Sequence, residues 1–218
     1  MQVLFLDNHL FIVHKPAGML VQGDRTGDRT LLDMARAFLK ERFHKPGNVY
    51  LAIVHRLDRP VSGVLLFART SKAAGRLAGQ FRNRRVRKIY RAMVEGKVAA
   101  GGTLTHRLLR REGRSVVVEE GGREARLRFR RLGYAKGISH IEVELLTGRH
   151  HQIRVQFAHT GHPVIGDFRY GSRVPFGDRA LALHARSLTI LHPTRGEEMI
   201  FVDEPGPEWT LPGLHPSC

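Results

Sequence analysis

The chain has 218 residues, of which 42% are hydrophobic and 26% charged, with 23 Gly and 10 Pro spread along its length. A chain of this size buries a sizeable core without disulfide or metal staples, and the composition excludes collagen-like, coiled-coil and wholly disordered chains. No apolar run reaches the roughly 18 residues of a membrane-spanning helix, so no membrane partner is expected. Lys and Arg total 36 against 20 Asp and Glu, a formal net charge of +16, and 29 of the 36 are Arg. Such an arginine-weighted excess points to a polyanion, nucleic acid above all, because guanidinium groups meet phosphate in a bidentate way.

The expected elements form an α+β pattern. Val3–Leu6 and Leu10–Val13 flank Asp7-Asn8-His9 as a hairpin. Thr30 with Asp33 reads as a helix start, followed by Leu31, Ala35, Phe38 and Leu39 at helical spacing. Ser71 reads as the cap of a second helix, whose apolar face holds Ala73, Ala74, Leu77, Ala78 and Phe81. Strands are expected at 50–54, 63–68, 90–95, 115–119, 125–132, 138–145 and 181–191, and a third, short helix over 149–159. Eight or so strands with three helices predict a mixed, largely antiparallel central sheet flanked by helices. No repeat or long linker interrupts residues 1–204, so one catalytic domain is expected there, with a Pro-rich irregular tail over 205–218.

Charge is unevenly placed. Between Asp58 and Glu95 there is no acidic residue but ten basic ones, among them Arg84, Arg85, Arg87 and Lys88. A second basic run extends from Arg107 to Arg131. Both are interleaved with apolar residues at structural periods, which marks them as faces of folded elements rather than tails. The lone Cys218 cannot form an internal disulfide, and Met1–Asp7 lacks the basic lead of a signal peptide. A cytoplasmic location is therefore expected.

Two constellations carry chemistry. In His55-Arg56-Leu57-Asp58-Arg59-Pro60 an acid sits between two arginines beside an apolar strand. It is either a charged turn or a carboxylate kept ionised at the edge of a basic cleft. Thr147-Gly148-Arg149-His150-His151-Gln152-Ile153-Arg154 reads as a helix start suited to a phosphate, with residues 150 and 154 on one face. His150, His151, His159 and His162 cluster in sequence, yet no acid lies between Arg149 and Gly161, so no metal site is expected. Tyr90 follows Arg87-Lys88-Ile89, and is either a half-buried sheet residue or an aromatic that stacks on an extruded base. No glycine-rich phosphate loop is present, so nucleotide or NAD chemistry has no support.

In order along the chain, these motifs resemble the RluA class of pseudouridine synthases. Lys15-Pro16-Ala17-Gly18 is similar to its early lysine–proline turn, and His55-Arg56-Leu57-Asp58 with Ser62-Gly63 to the signature around its catalytic aspartate. Lys88-Ile89-Tyr90 resembles its tyrosine motif. The block from Thr147 to Arg154, with Gly161-His162-Pro163, Gly166-Asp167, Tyr170-Gly171 and His184-Ala185, resembles its late motifs. Pro60-Val61 and His150 depart from the common pattern. The set covers roughly Val3 to Leu191.

The resemblance implies a cofactor-free isomerisation of uridine to pseudouridine in rRNA or tRNA, on a base flipped from its stack. It implies Asp58 as the essential carboxylate, Arg154 facing it and holding it ionised, and Tyr90 packed against the uracil. Arg56 is the candidate to fill the gap left in the stack, and Arg149 to hold a phosphate or support the site. His55, Arg84, Arg85, Arg87 and Lys88 complete the expected RNA-binding set. A monomer without an obligatory protein partner, and without an accessory RNA-binding domain before Val3, is expected. Two other classes are weighed: a non-catalytic RNA binder, which leaves the lone acid unexplained, and a histidine- or metal-dependent nuclease, which lacks carboxylate partners.

Overall fold

The computed structural model describes residues 1–178 and 180–209. Most of the expected C-terminal tail lies outside the described residues; its start includes a 3₁₀ turn at Pro207–Trp209. The chain divides into two compact units, one of residues 1–87 and 187–203, the other of residues 88–186 with the segment from Glu204.

In the first unit, β1 (Val3–Leu6) and β2 (Leu10–Lys15) form the expected antiparallel hairpin, and β2 pairs β4 (Ser62–Ala68) in antiparallel register from Leu10↔Ala68 to Lys15↔Gly63. The short β3 (Ala52–Ile53) also pairs with β4. Leu10 to Val13 are wholly buried, as are Leu65 to Ala68, which explains their unbroken apolar runs. Helix α1 (Leu31–Arg42) begins at a capping box: Thr30 Oγ1 accepts from the Asp33 N–H, and the Asp33 carboxylate accepts from the Thr30 N–H. Leu31, Ala35 and Leu39 form its buried stripe, and Phe38 stacks on Phe11 at 5.7 Å. Helix α2 (Ser71–Arg82) is capped by Thr70, not Ser71; its hydroxyl accepts from the Ala73 N–H at 3.2 Å. Ala73 and Leu77 of α2 pack with Leu10, Ile12, Val64 and Leu66, closed by Leu188, Ile190 and Phe201 from the chain's later part.

The second unit is built on antiparallel strands in the order β5 (Arg87–Glu95), β9 (Ile138–Leu145), β8 (Arg123–Ala135), β6 (Gly101–Arg111) and β7 (Arg114–Val118). On β8, buried Ala125 and Leu127 alternate with exposed Arg126, Arg128 and Arg130, a period of two that turns much of the second basic run outward. Helix α3 (Gln152–His159) packs Val155 against Leu108, Ala125 and Val117. β10 (Leu183–Leu191) carries the chain from the second unit back to the first, where its last residues pair with β11 (Glu198–Val202). Among the described residues there are eleven strands and three α-helices, an α+β fold, and no helix is long and apolar enough to cross a membrane.

Candidate active site

Asp58 stands in the first unit, half-buried, at the start of a turn into β4. Its carbonyl accepts the Val61 N–H at 3.0 Å. Such a turn leaves carbonyls that the following strand cannot satisfy, and Lys15 supplies the donors. Its side chain is fully buried, and its Nζ donates to the carbonyls of Pro16 (2.9 Å), Arg59 (3.0 Å) and Val61 (2.6 Å). Burial lowers the Lys15 pKa to about 7, with the Asp58 carboxylate opposing that fall. All three hydrogens of the ammonium meet a carbonyl, a coordination only the protonated form completes.

Gly18 closes the same brace. At φ 80° it adopts the left-handed backbone that suits glycine, its N–H donates to Arg59 O at 2.9 Å, and its carbonyl accepts from Arg59 Nε at 3.0 Å. Arg59 reaches on to the Asp28 carboxylate at 2.6 Å. The early Lys15–Gly18 motif thus holds the residues that follow Asp58. Sequence reasoning gave it no role; the signal available was a lysine ending an otherwise apolar strand.

The other candidates of this unit divide. Arg56 is exposed. His55 is engaged internally: its Nε2 accepts the Leu66 N–H at 3.0 Å, and its ring stacks on Phe81 at 5.0 Å. Those contacts fix the segment entering the Asp58 turn. Arg84, Arg85 and Arg87 are exposed, with Arg84 at φ 56° in the turn that ends α2.

In the second unit Tyr90 lies on β5 opposite Val143, half-buried between strand neighbours. Lys88, two residues earlier, directs its Nζ at the Thr147 carbonyl (3.5 Å) and lies against Gly148, where a Cβ would meet that nitrogen at 3.2 Å. Burial lowers its pKa to about 8.

The block from Thr147 to Arg154 departs from its sequence reading. Helix α3 begins at Gln152, because His151 sits in the left-handed region at φ 53°. His150 is not helical, so it shares no helix face with Arg154. No helix starts near Gly148 either. There the Gln152 side chain accepts from the Thr147 hydroxyl (2.8 Å) and the Arg149 N–H (3.0 Å). Arg149 turns its Nε to Glu124 O at 2.9 Å.

Arg154 is 5% exposed and its charge is met by Asp167, with Nε at 2.6 Å and Nη2 at 2.9 Å from the carboxylate. Its guanidinium lies over the Tyr170 ring, 5.2 Å from the centroid. Tyr170 is held in turn: its hydroxyl accepts the Ser115 N–H at 2.9 Å and lies 2.8 Å from His151 Nδ1. The Ser115 hydroxyl donates to His150 O at 2.6 Å, and His150 stacks on His151 at 3.7 Å. Sequence-clustered histidines therefore have separate tasks, for His162 Nδ1 instead meets Glu95 O at 2.8 Å and His159 packs on His106. Among the described residues no group of three or more His, Cys, Asp or Glu is placed to hold a metal ion. Asp167 and Tyr170 appeared in the sequence only as motif letters; their partner was not legible because residue 154 lies 13 positions from Asp167.

The profile of the RNA pseudouridylate synthase family matches residues 9–159. The chain is 35% identical over 235 aligned residues to the ribosomal large subunit pseudouridine synthase D of Pseudomonas aeruginosa, covering 97% of this chain and 71% of that protein. It is 34% identical to the ribosomal large subunit pseudouridine synthase C of Vibrio cholerae, with 90% of this chain and 63% of the relative aligned. Among solved structures, the human RNA pseudouridylate synthase domain containing 4 has the same fold, with a TM-score of 0.79 at 22% identity over 94% of this chain and 89% of that one. The human domain containing 1 protein gives a TM-score of 0.75 at 26% identity, covering 94% and 83% of the two chains. The ordered motifs and these matches together establish that the chain belongs to the RNA pseudouridylate synthase family, in its RluA class.

Proposed function

We propose that this chain converts uridine to pseudouridine in the RNA of the large ribosomal subunit, with Asp58 as the essential carboxylate. The reaction breaks the N1–C1′ bond, turns the uracil and joins C5 to C1′, while the C5 proton leaves and N1 regains one. Nothing enters, leaves or changes oxidation state overall, so these residues need no cofactor. Asp58 acts ionised, either on the sugar carbon or in elimination to a glycal. Arg154 favours that ionised form, and Tyr90 packs on the extruded uracil and assists loss of its C5 proton. Arg56 fills the vacated stack, and Arg149, Lys88, Arg87, Arg85 and Arg84 meet phosphates. His55 contributes through the segment that it fixes.

The observation carrying this reading is the braced turn at Asp58: a buried lysine spends all its donors holding the backbone beside one carboxylate. The family profile spans residues from both compact units, which supports reading residues 1–204 as one catalytic domain. The kinship with ribosomal enzymes supports a soluble cytoplasmic protein; a monomer is proposed with it. Unmodified large-subunit rRNA and a tRNA pool, each incubated with the purified chain and mapped for pseudouridine, test the substrate. Conversion at discrete rRNA uridines is expected; conversion confined to tRNA would contradict it.

A further inference from the structure

Phe168 is 65% exposed, yet it sits on one of the most constrained segments of the second unit. The 3₁₀ turn Phe168–Tyr170 has Asp167 before it, paired with Arg154, and ends in Tyr170, which lies beneath the same guanidinium. Backbone bonds from Phe168 N to Gly166 O (3.1 Å) and from Tyr170 N to Asp167 O (3.0 Å) fix it further. Single exposed apolar residues are ordinary. A large ring held outward on a rigid turn is less so, because a preorganised aromatic loses little entropy when something stacks on it.

A second observation concerns the hairpin that this turn touches. β6 and β7 join through Glu112-Gly113, both at positive φ (45° and 78°), the geometry of a tight two-residue turn. That turn sets Arg111 directly opposite Arg114, both exposed, with exposed Arg110 beside them. Like charges facing across an antiparallel pair cost stability. Glu112 alone cannot offset three arginines. Arg169, next to Phe168, donates to Gly113 O at 3.2 Å, and Tyr170 donates to Ser115 O at 3.2 Å, so ring and cationic tip belong to one local assembly.

We propose that this assembly is a single-strand RNA contact additional to the isomerisation residues: Phe168 stacks on an unpaired base, and Arg111 with Arg114 takes the adjoining phosphates. Stacking plus phosphate pairing is how proteins hold unpaired nucleotides. The assignment rests on the RNA-modifying reading above and deepens it, because specific recognition of RNA mostly targets unpaired loops and bulges.

The test is binding of oligouridylate and of a blunt RNA duplex of equal length, compared at matched salt across a salt series, by fluorescence anisotropy. Phe168→Ala is expected to weaken oligouridylate about tenfold, since a lost stack of about 1–3 kcal/mol corresponds to roughly 5- to 150-fold. It should leave the duplex unchanged, and Phe168→Tyr should bind as wild type. Arg111→Ala with Arg114→Ala should weaken oligouridylate and flatten its salt dependence. The ring faces outward, so the unfolding midpoint of Phe168→Ala should match wild type. Oligouridylate binding that survives both variants, or equal losses on both probes for Phe168→Ala, would overturn the proposal. Wild type that forms pseudouridine while Phe168→Ala binds unchanged would sink this contact alone; wild type that binds neither RNA would take the RNA reading with it.

Discussion

An arginine as buried as Arg154 survives only where its charge is met, and the bidentate pair with Asp167 meets it. Removing Asp167 takes two charge-assisted hydrogen bonds from that buried guanidinium, a loss of about 3–5 kcal/mol. Asp167→Ala should therefore lower unfolding stability by about that much in a denaturant titration, and should also lower the isomerisation rate, since Arg154 loses its orientation. Asp167→Asn keeps the shape and one acceptor and should fall between. Unchanged stability in Asp167→Ala would show that Arg154 is satisfied without it. At this scale Asp58, Tyr90 and Arg154 stand in ordered motifs that the sequence displays, whereas Asp167 and Tyr170 became meaningful only through contacts that the sequence does not display. His55 shows the converse: a residue beside the signature aspartate whose ring is committed to Leu66 and Phe81.

Elements with a local signal were read well. The Thr30–Asp33 capping box and the strand at 138–145 both appear where the sequence placed them. Helix α3 was misplaced because Gln152 to Phe157 are all buried, so it lacks the polar face that marks a helix start, and no Ser, Thr, Asp or Asn stands at its cap. β6 was missed for the opposite reason: only Leu108 is buried among 11 residues opening with two glycines, and its extended form is imposed by β7 on one side and β8 on the other. β11 was missed for want of alternation, since Ile200 is 62% exposed. The Lys15 brace is also a property of an element, the turn from Asp58 to Val61. Lys15→Met keeps the stem but orphans three carbonyls, at about 1–3 kcal/mol for each one left buried. Relief from burying a cation offsets part of that, so a net destabilisation of about 1–3 kcal/mol is expected in chemical denaturation, with kcat falling more than KM changes. Wild-type stability and rate in Lys15→Met would refute the bracing role.

At the scale of the molecule the net charge of +16 dominates encounter with RNA. Arg84 and Arg85 are exposed in the acid-free stretch, as a phosphate contact requires. Neutralising about 4–6 phosphates of a single strand gives a log–log salt slope of roughly −3 to −4. Arg84→Glu with Arg85→Glu should weaken all RNAs alike and flatten that slope, leaving turnover at saturating RNA almost unchanged, because phosphate contacts position substrate and do no chemistry. A double variant with wild-type affinity and slope would move the RNA path to the outward arginines of β8. The central claim is that one carboxylate carries the isomerisation, and the most direct measurement is pseudouridine formed by purified Asp58→Asn beside wild type on the same rRNA. The amide is nearly isosteric but neither nucleophile nor base, so RNA binding should persist while product falls to background. Pseudouridine formation by Asp58→Asn above a trace would contradict the account.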